Sequence, residues 1–165
     1  MCDIKLSNDK YNFRYRVAAI IVEGDEVLLA GADFNGNYTY YSVGGAVHTG
    51  ELAHDAVVRE VFEETGVSYK IERLAVIHEN LYNGFCLDTV GKTCHEIALY
   101  FLMKSRGSKI LNMKNSINSS GCSEKMHWLK INTLDELHAY PTFLKTYLNN
   151  PKEDLVHIIT DNRDK

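Results

Sequence analysis

The chain carries no basic run and no surplus of positive charge. Its 18 lysines and arginines are outnumbered by 22 aspartates and glutamates, for a net charge of −4. Duplex nucleic acid is not an expected partner, because neutralising a phosphate backbone needs a basic surface. A small polyanion stays open, since a bound cation can offset local charge. No apolar run approaches the roughly 20 residues of a membrane span, and no secretory leader is expected at the start. The four cysteines, Cys2, Cys86, Cys94 and Cys122, are too far apart for CxxC chemistry and read as free thiols of a reducing, cytoplasmic compartment. Cys94 and His95 are adjacent, but a zinc site needs further spaced ligands. No internal repeat or linker divides the chain. What is present, 165 residues with 45% hydrophobic and 24% charged content, has the profile of one globular domain spanning 1–165. The oligomeric state is open, a homodimer included.

Residues 1–12 are polar and are expected to form a flexible lead-in. Residues 16–22 are apolar and β-branched, and 26–30 continue the pattern across Glu23-Gly24-Asp25, which predicts a hairpin. A turn-rich loop over 33–37 leads to a short strand over 38–43. Further strands are predicted over 69–81, 96–104 and 126–131, separated by a polar loop over 82–93 and a Ser-, Asn-, Lys- and Gly-rich excursion over 106–123. Residues 134–148 read as helical with a break or restart at Pro141, and 155–160 as a late edge strand. Strands before and after one strong helix, with a second helix near the end, predict an α/β (α+β) domain with a mixed sheet between helical layers.

The strong helix lies within residues 45–67, GAVHTGELAHDAVVREVFEETGV. Gly45, Glu51, Arg59, Glu60, Glu63, Glu64 and Gly66 follow the spacing G-x5-E-x7-R-E-U-x-E-E-x-G-U, with Val61 and Val67 at the aliphatic positions U. At a usage of about 0.07 per residue type, seven fixed identities arise by chance roughly once in 10^8 starting points. Thr49 or Gly50 is expected to cap the helix, with Glu51 and Asp55 in its first turn and Gly66 as its stop. Glu60, Glu63 and Glu64 fall within one arc of about 100°. Val57, Val58, Val61 and Phe62 occupy a separate arc that should face the core, and His54 projects the same way. Close carboxylates repel by about 0.2–0.5 kcal/mol per pair, and hard oxygen donors at this density suit magnesium or manganese. An isolated ExxEE is ordinarily a solvated acidic face. Two features argue otherwise here. The loop Ser42-Val43-Gly44-Gly45 lets backbone approach a ligand closely and turn a carbonyl towards a cation. Arg59, which cannot bind a cation, is suited to hold Glu51 or a neighbouring carboxylate by bidentate hydrogen bonds.

This stretch resembles the signature of the Nudix (MutT-like) hydrolases, with no departure inside the motif. The resemblance implies a Nudix-type α/β/α sandwich with a central mixed β-sheet, over roughly residues 14–148. It implies hydrolysis of a nucleoside diphosphate linked to another group: a nucleoside triphosphate, a dinucleoside polyphosphate or a nucleotide sugar such as ADP-ribose. It also implies Mg2+, or Mn2+, held by Glu60 and Glu64, with Glu63 and the Gly44 or Gly45 carbonyl contributing. Relatives often carry proline where Val43 stands, which bears on loop stiffness. The general base varies within the family, and Glu63, Glu96 and Glu124 are the candidates here. Glu96 is preferred to Glu124, because a rigid strand aims a carboxylate better than a loop does. Arg14 and Arg16, at the entry to the first strand, are candidates for holding a phosphate. Tyr82, sixteen residues past Gly66, resembles a feature of dinucleoside-polyphosphate hydrolases. Tyr38 and Tyr40 share a strand face, and Tyr41 points the other way. Two rival readings are a non-catalytic Nudix-like nucleotide sensor and an isoprenyl diphosphate isomerase, the latter needing a pocket cysteine such as Cys86 or Cys94.

Overall fold

A computed structural model describes residues 2–34, 36–84, 88–113, 116–117 and 123–163. In chain order the elements are β1 (Lys5–Ser7), β2 (Tyr11–Ile20), β3 (Val22–Glu23), β4 (Glu26–Phe34), β5 (Asn37–Ser42), α1 (Ala53–Thr65), β6 (Ile71–Asn83), β7 (Thr93–Met103), β8 (Ser116–Ile117) and β9 (Ser123–Lys130). A 3-10 turn (Ile131–Glu136), β10 (Ala139–Tyr140), α2 (Phe143–Asn149) and β11 (Val156–Asn162) complete the chain. Cys86, Cys122 and part of the 106–123 excursion lie outside the described residues. No described helix is long and apolar enough to cross a membrane.

The run Val17-Ala18-Ala19-Ile20-Ile21 has no polar member, so a strand built from it must be covered on both faces. Alternate residues do go to opposite cores. Val17, Ala19 and Ile21 pack with Val57 and Val61 of α1 and with Phe101 of β7. Ala18 and Ile20 pack with Leu134 of the 3-10 turn, Leu144 and Tyr147 of α2, and Tyr100 of β7. Burying Val57 and Val61 completely contributes about 1.5–3 kcal/mol each before the cost of ordering the chain. The result is a mixed α+β sandwich, with α1 on one side and α2 on the other. One sheet is mixed, in the order β1-β2-β7-β6-β11, with β2 parallel to β7 and β6 parallel to β11. The other runs β10-β5-β4-β9-β8, with β3 paired to β4.

Several local expectations need correction. The hairpin is only the short pair β3–β4, because the doubly buried β2 runs beside β7 instead of folding back on β4. Part of the polar lead-in is built into the sheet, with Lys5 opposite Arg14 and Ser7 opposite Asn12. Residues 134–148 do restart as helix just after Pro141, but the stretch before it is a 3-10 turn and a short strand. Pro141 disfavours helix at the residue before it, so Ala139 and Tyr140 extend and pair with β5, and α2 starts only at Phe143. Phe62 is 53% exposed, because α1 buries the i, i+4 row Val57, Val61, Thr65 together with Ala56. His54 is likewise exposed.

Gly66 ends α1 in the left-handed conformation, φ 68°, and donates its N–H to the Phe62 carbonyl. A Cβ there would stand 1.8 Å from the Asn112 carbonyl oxygen. Gly66→Ala should therefore lower stability by about 1–3 kcal/mol in denaturant titration, from backbone strain and overlap together. A loss below about 0.5 kcal/mol would contradict this packing.

Candidate active site

The site starts from a backbone contact. β1 covers β2 only at residues 12–14, and the rest of that edge is taken by the glycine segment. The Ala19 N–H donates to the Val43 carbonyl at 2.8 Å, Val17 to Gly45 at 2.9 Å, and Val47 back to Tyr15 at 3.2 Å. Gly44 lies so close to β2 that a Cβ, placed on its φ of 140°, would sit 2.3 Å from the Val17 carbonyl oxygen. A Cβ on Gly45 would instead fall 2.4 Å from the Glu60 carboxylate. One glycine thus admits the strand and the next admits an acid. The Gly44 N–H points at both oxygens of Glu64, at 3.3 and 3.4 Å.

Arg59 organises the acids of the helix. Its Nε and one terminal nitrogen donate to Glu51 at 2.8 and 2.9 Å, a bidentate pair. The other terminal nitrogen reaches Glu60 at 2.6 Å and Glu63 at 3.3 Å, and a further bond ties the guanidinium to the Ala46 carbonyl at 3.2 Å. Glu51 does not occupy the first helical turn as expected. The helix begins at Ala53 with Leu52 at its N-cap and no side-chain cap, because the Glu51 carboxylate is committed to Arg59 and to the His48 N–H. Arg59 holds the Glu51 carboxyl down at about 2, helped by the His48 N–H and against the effect of burial. The Glu63 side chain is 57% exposed, at the rim of this group.

Glu64 lies deeper. Burial first, then the charges of Glu124 and Glu60, push its carboxyl up to about 8, against the pull of Arg16 and the Gly44 N–H. Glu124 is buried on β9 and accepts a 2.5 Å hydrogen bond from the Tyr41 hydroxyl. It shares the β9 face of Met126 and Trp128, which pack into the core under α1. Glu96 is also buried, but it shares the β7 face of Ala98 and Tyr100, which belong to the core under α2. Its ionic contact is with Arg14, at 3.7 Å. The outlying acid whose charge bears on Glu64 is therefore Glu124, whereas Glu96 shares the sheet face of Arg16, which bonds the Gly44 carbonyl. The preference for Glu96 assumed that Glu124 sat on a loop, whereas β9 already begins at Ser123.

The substrate candidates are placed as follows. Arg16 is turned to the glycine segment, donating to the Ser42 carbonyl at 2.8 Å and the Gly44 carbonyl at 3.1 Å. Arg14 remains partly exposed beside Glu96. Tyr82 and Asn12 hydrogen-bond the buried Cys94 thiol, and burial pushes the Tyr82 hydroxyl up. The Tyr41–Glu124 bond was not read from the sequence, although the opposite facing of Tyr41 and Tyr40 was its signal. Asn12 was hidden in the lead-in, although it continues the alternation Asn12, Arg14, Arg16.

Among the described residues no three His, Cys, Asp or Glu side chains converge closely enough, as they stand, to enclose a metal ion. The donor chemistry nevertheless fits a hard divalent cation. Glu60, Glu64 and Glu124 offer only oxygen, and their mutual repulsion at a buried position is what such a cation relieves. The Gly44 and Gly45 carbonyls each already accept one hydrogen bond, which leaves each a second lone pair.

The raised Glu64 carboxyl has a measurable consequence without metal. From the ordinary value of 4.5 to about 8, the folded state keeps a proton that the unfolded chain has lost. Stability should therefore fall as pH rises through that window and level off above it. Glu51, low in the fold, is ionised in both states throughout most of that range and adds no slope there. In chelator, the melting temperature should be lower at pH 9 than at pH 6, and Glu64→Gln should flatten the difference. An equal pH dependence in that variant would contradict the assignment.

A family model described as the NUDIX domain matches residues 12–150. Among curated proteins none matches the chain. Solved structures share its fold, three of them as follows. A MutT protein from Methanosarcina mazei Go1 is 20% identical, with a TM-score of 0.62, covering 88% of this chain and 100% of its own. A mutator MutT protein from Bacillus halodurans is 21% identical, with a TM-score of 0.58, covering 87% and 86%. A NUDIX hydrolase from Nitrosomonas europaea is 21% identical, with a TM-score of 0.55, covering 82% and 86%. With the family model matched over most of the chain and the complete glutamate motif folded onto its glycine segment, the chain belongs to the Nudix hydrolase family.

Proposed function

We propose that the protein is a divalent-metal-dependent hydrolase that cleaves a P–O–P bond in a nucleoside diphosphate carrying a further group. The observation that carries this reading is the placing of Glu60 against Gly45 and of Glu64 against the Gly44 N–H, with the charge of Glu124 bearing on Glu64. Glu60 and Glu64 would hold Mg2+ or Mn2+, with Glu63 and the Gly44 and Gly45 carbonyls close by. When bound, the cation supplies charge neutralisation at the phosphoryl oxygens and acidifies the attacking water.

The chain's own residues do the rest. Arg59 positions the acids: it fixes Glu51 and keeps Glu60 and Glu63 from drifting apart. Arg16 holds the Ser42 and Gly44 carbonyls, so the backbone under the diphosphate cannot recoil. Glu124, oriented by Tyr41, takes the proton from the attacking water. The partner is a small nucleotide, with no duplex nucleic acid and no membrane in the reaction, and the free Cys2 and Cys94 thiols fit a cytoplasmic setting. Of the two cysteines that the isomerase reading would use, Cys94 is buried and hydrogen-bonded by Tyr82 and Asn12, and Cys86 lies outside the described residues.

A panel of nucleoside triphosphates, dinucleoside polyphosphates and nucleotide sugars, assayed with Mg2+ or Mn2+, tests the proposal. Turnover should vanish in chelator and return with metal. Glu64→Gln should lower kcat on the order of 10^3-fold, equivalent to about 4 kcal/mol of transition-state stabilisation. Glu124→Gln should lower kcat at least about tenfold and remove the acidic limb of the pH–rate profile. Full turnover in chelator, or a loss below about tenfold in Glu64→Gln, would overturn the mechanism. Nucleotide binding without turnover would favour the sensor reading.

A further inference from the structure

Among the described residues the two sheets end on four edge strands, and three of these are very short. β1 has three residues, Lys5 among them, and β8 and β10 span two each. Shortness and charge blunt an edge, whose row of unpaired N–H and carbonyl groups otherwise invites a further strand. β11 is different. It runs beside β6 for seven residues, in parallel and with no register shift, and it carries no lysine or proline. No described strand lies on its outer side, where alternate backbone groups point away from β6. Phe143 of α2 is seated over His78 of β6 and Tyr100 of β7, inboard of this edge.

The side chains of β11 divide by face. Val156 and Ile158 pack in the core under α2, and Thr160, on the same face, is hydrogen-bonded with His78. His157, Ile159 and Asp161 form a row on the other face. Ile159 is 64% exposed. His157 Nε2 stands 3.6 Å from Glu79, too far for a hydrogen bond. Asp161 accepts from the backbone N–H and the guanidinium of Arg163 in its own chain, and an ionised carboxylate has lone pairs for a further donor. The row is balanced about Ile159, with an imidazole donor on one side and a carboxylate on the other. A second copy running antiparallel, related by a twofold axis at Ile159, turns that balance into complementarity. Ile159 then faces the partner's Ile159, and His157 faces the partner's Asp161 at both ends. Only registers that pair a residue with itself at the axis keep the same faces together. Centring on Ile158 instead sets Ile159 against His157, and centring on Thr160 sets Ile159 against Asp161 and His157 against Arg163. Apolar and opposite-charge cross-strand pairs stabilise a sheet, which selects the register at Ile159.

We propose that β11 is the interface of a homodimer, in which two copies of the five-stranded mixed sheet join edge to edge in the register centred on Ile159. The glycine segment borders β2, and β7 and β6 stand between β2 and β11, so each copy keeps its whole candidate site. The pairing is independent of the hydrolase reading.

Sedimentation equilibrium of the full chain, at loading concentrations of about 1–100 μM, reads the mass directly. The wild type should be a dimer at the top of that range. Ile159→Lys sets two like charges face to face at the axis and should leave a monomer throughout. Because Ile159 is exposed, the circular dichroism and melting of this variant at the lowest concentration should match the wild type, which separates lost pairing from lost folding. His157→Asp sets acid against acid at both ends and should raise the dimer Kd about tenfold. Adding Asp161→Lys in the same chain restores opposite charges across the axis and should recover most of that loss. This charge exchange decides the matter if Ile159→Lys does not fold. A wild type that is monomeric at every concentration overturns the proposal, and so does a dimer that survives Ile159→Lys. Failure of Asp161→Lys to rescue His157→Asp overturns the register, and with it the proposed interface.

Discussion

Everything at the site hangs from the contact between the glycine segment and β2. The segment satisfies the backbone of β2 where β1 stops, so it is held as a strand is held, by N–H to carbonyl bonds on both sides of Gly44. That contact requires the absence of a side chain at Gly44, and the approach of Glu60 requires the same at Gly45. The two requirements are adjacent but point to opposite sides. A flexible loop could bring a carboxylate near its backbone for part of the time. A segment zipped to β2 keeps it there, and α1 is docked against that strand through Val57 and Val61.

Two arginines then divide the electrostatic work. Arg59 neutralises the outer acids and grips Glu51 through two hydrogen bonds. Arg16 lies on the inner side, bonded to carbonyls rather than to carboxylates, and offsets Glu64 only from a distance. The imbalance leaves Glu64 under-compensated beside Glu124 and Glu60. A structural ion-pair network would have closed that gap with a partner in contact. Leaving it open costs folding energy, and a site that takes up a cation has reason to bear that cost.

Much of this was legible in the residues, and the exceptions have physical causes. The helix was readable because its i, i+4 row, its carboxylate arc and Gly66 are local features. Phe62 misled because an amphipathic arc is wider than the ridge that docks. The strands were readable as apolar runs, but their partners were not. β2 and β7 are buried on both faces, so neither shows the in–out alternation that would say which face carries α1. For that reason the side on which Glu96 projects could not be read. Glu124 was obscured by the polar composition around it, which reads as loop up to the first residue of β9. The lead-in strand was missed because an edge strand of three exposed residues has no hydrophobic signature.

The central claim is that the clustered carboxylates are a cation site organised by the glycine segment. Thermal unfolding with and without manganese, for the wild type and for the Glu60→Gln/Glu64→Gln double variant, tests it most directly, since a ligand of the folded state alone raises the melting temperature. The account predicts that saturating manganese stabilises the wild type by several degrees relative to chelator and leaves the double variant unmoved. Equal stabilisation of both proteins would contradict it.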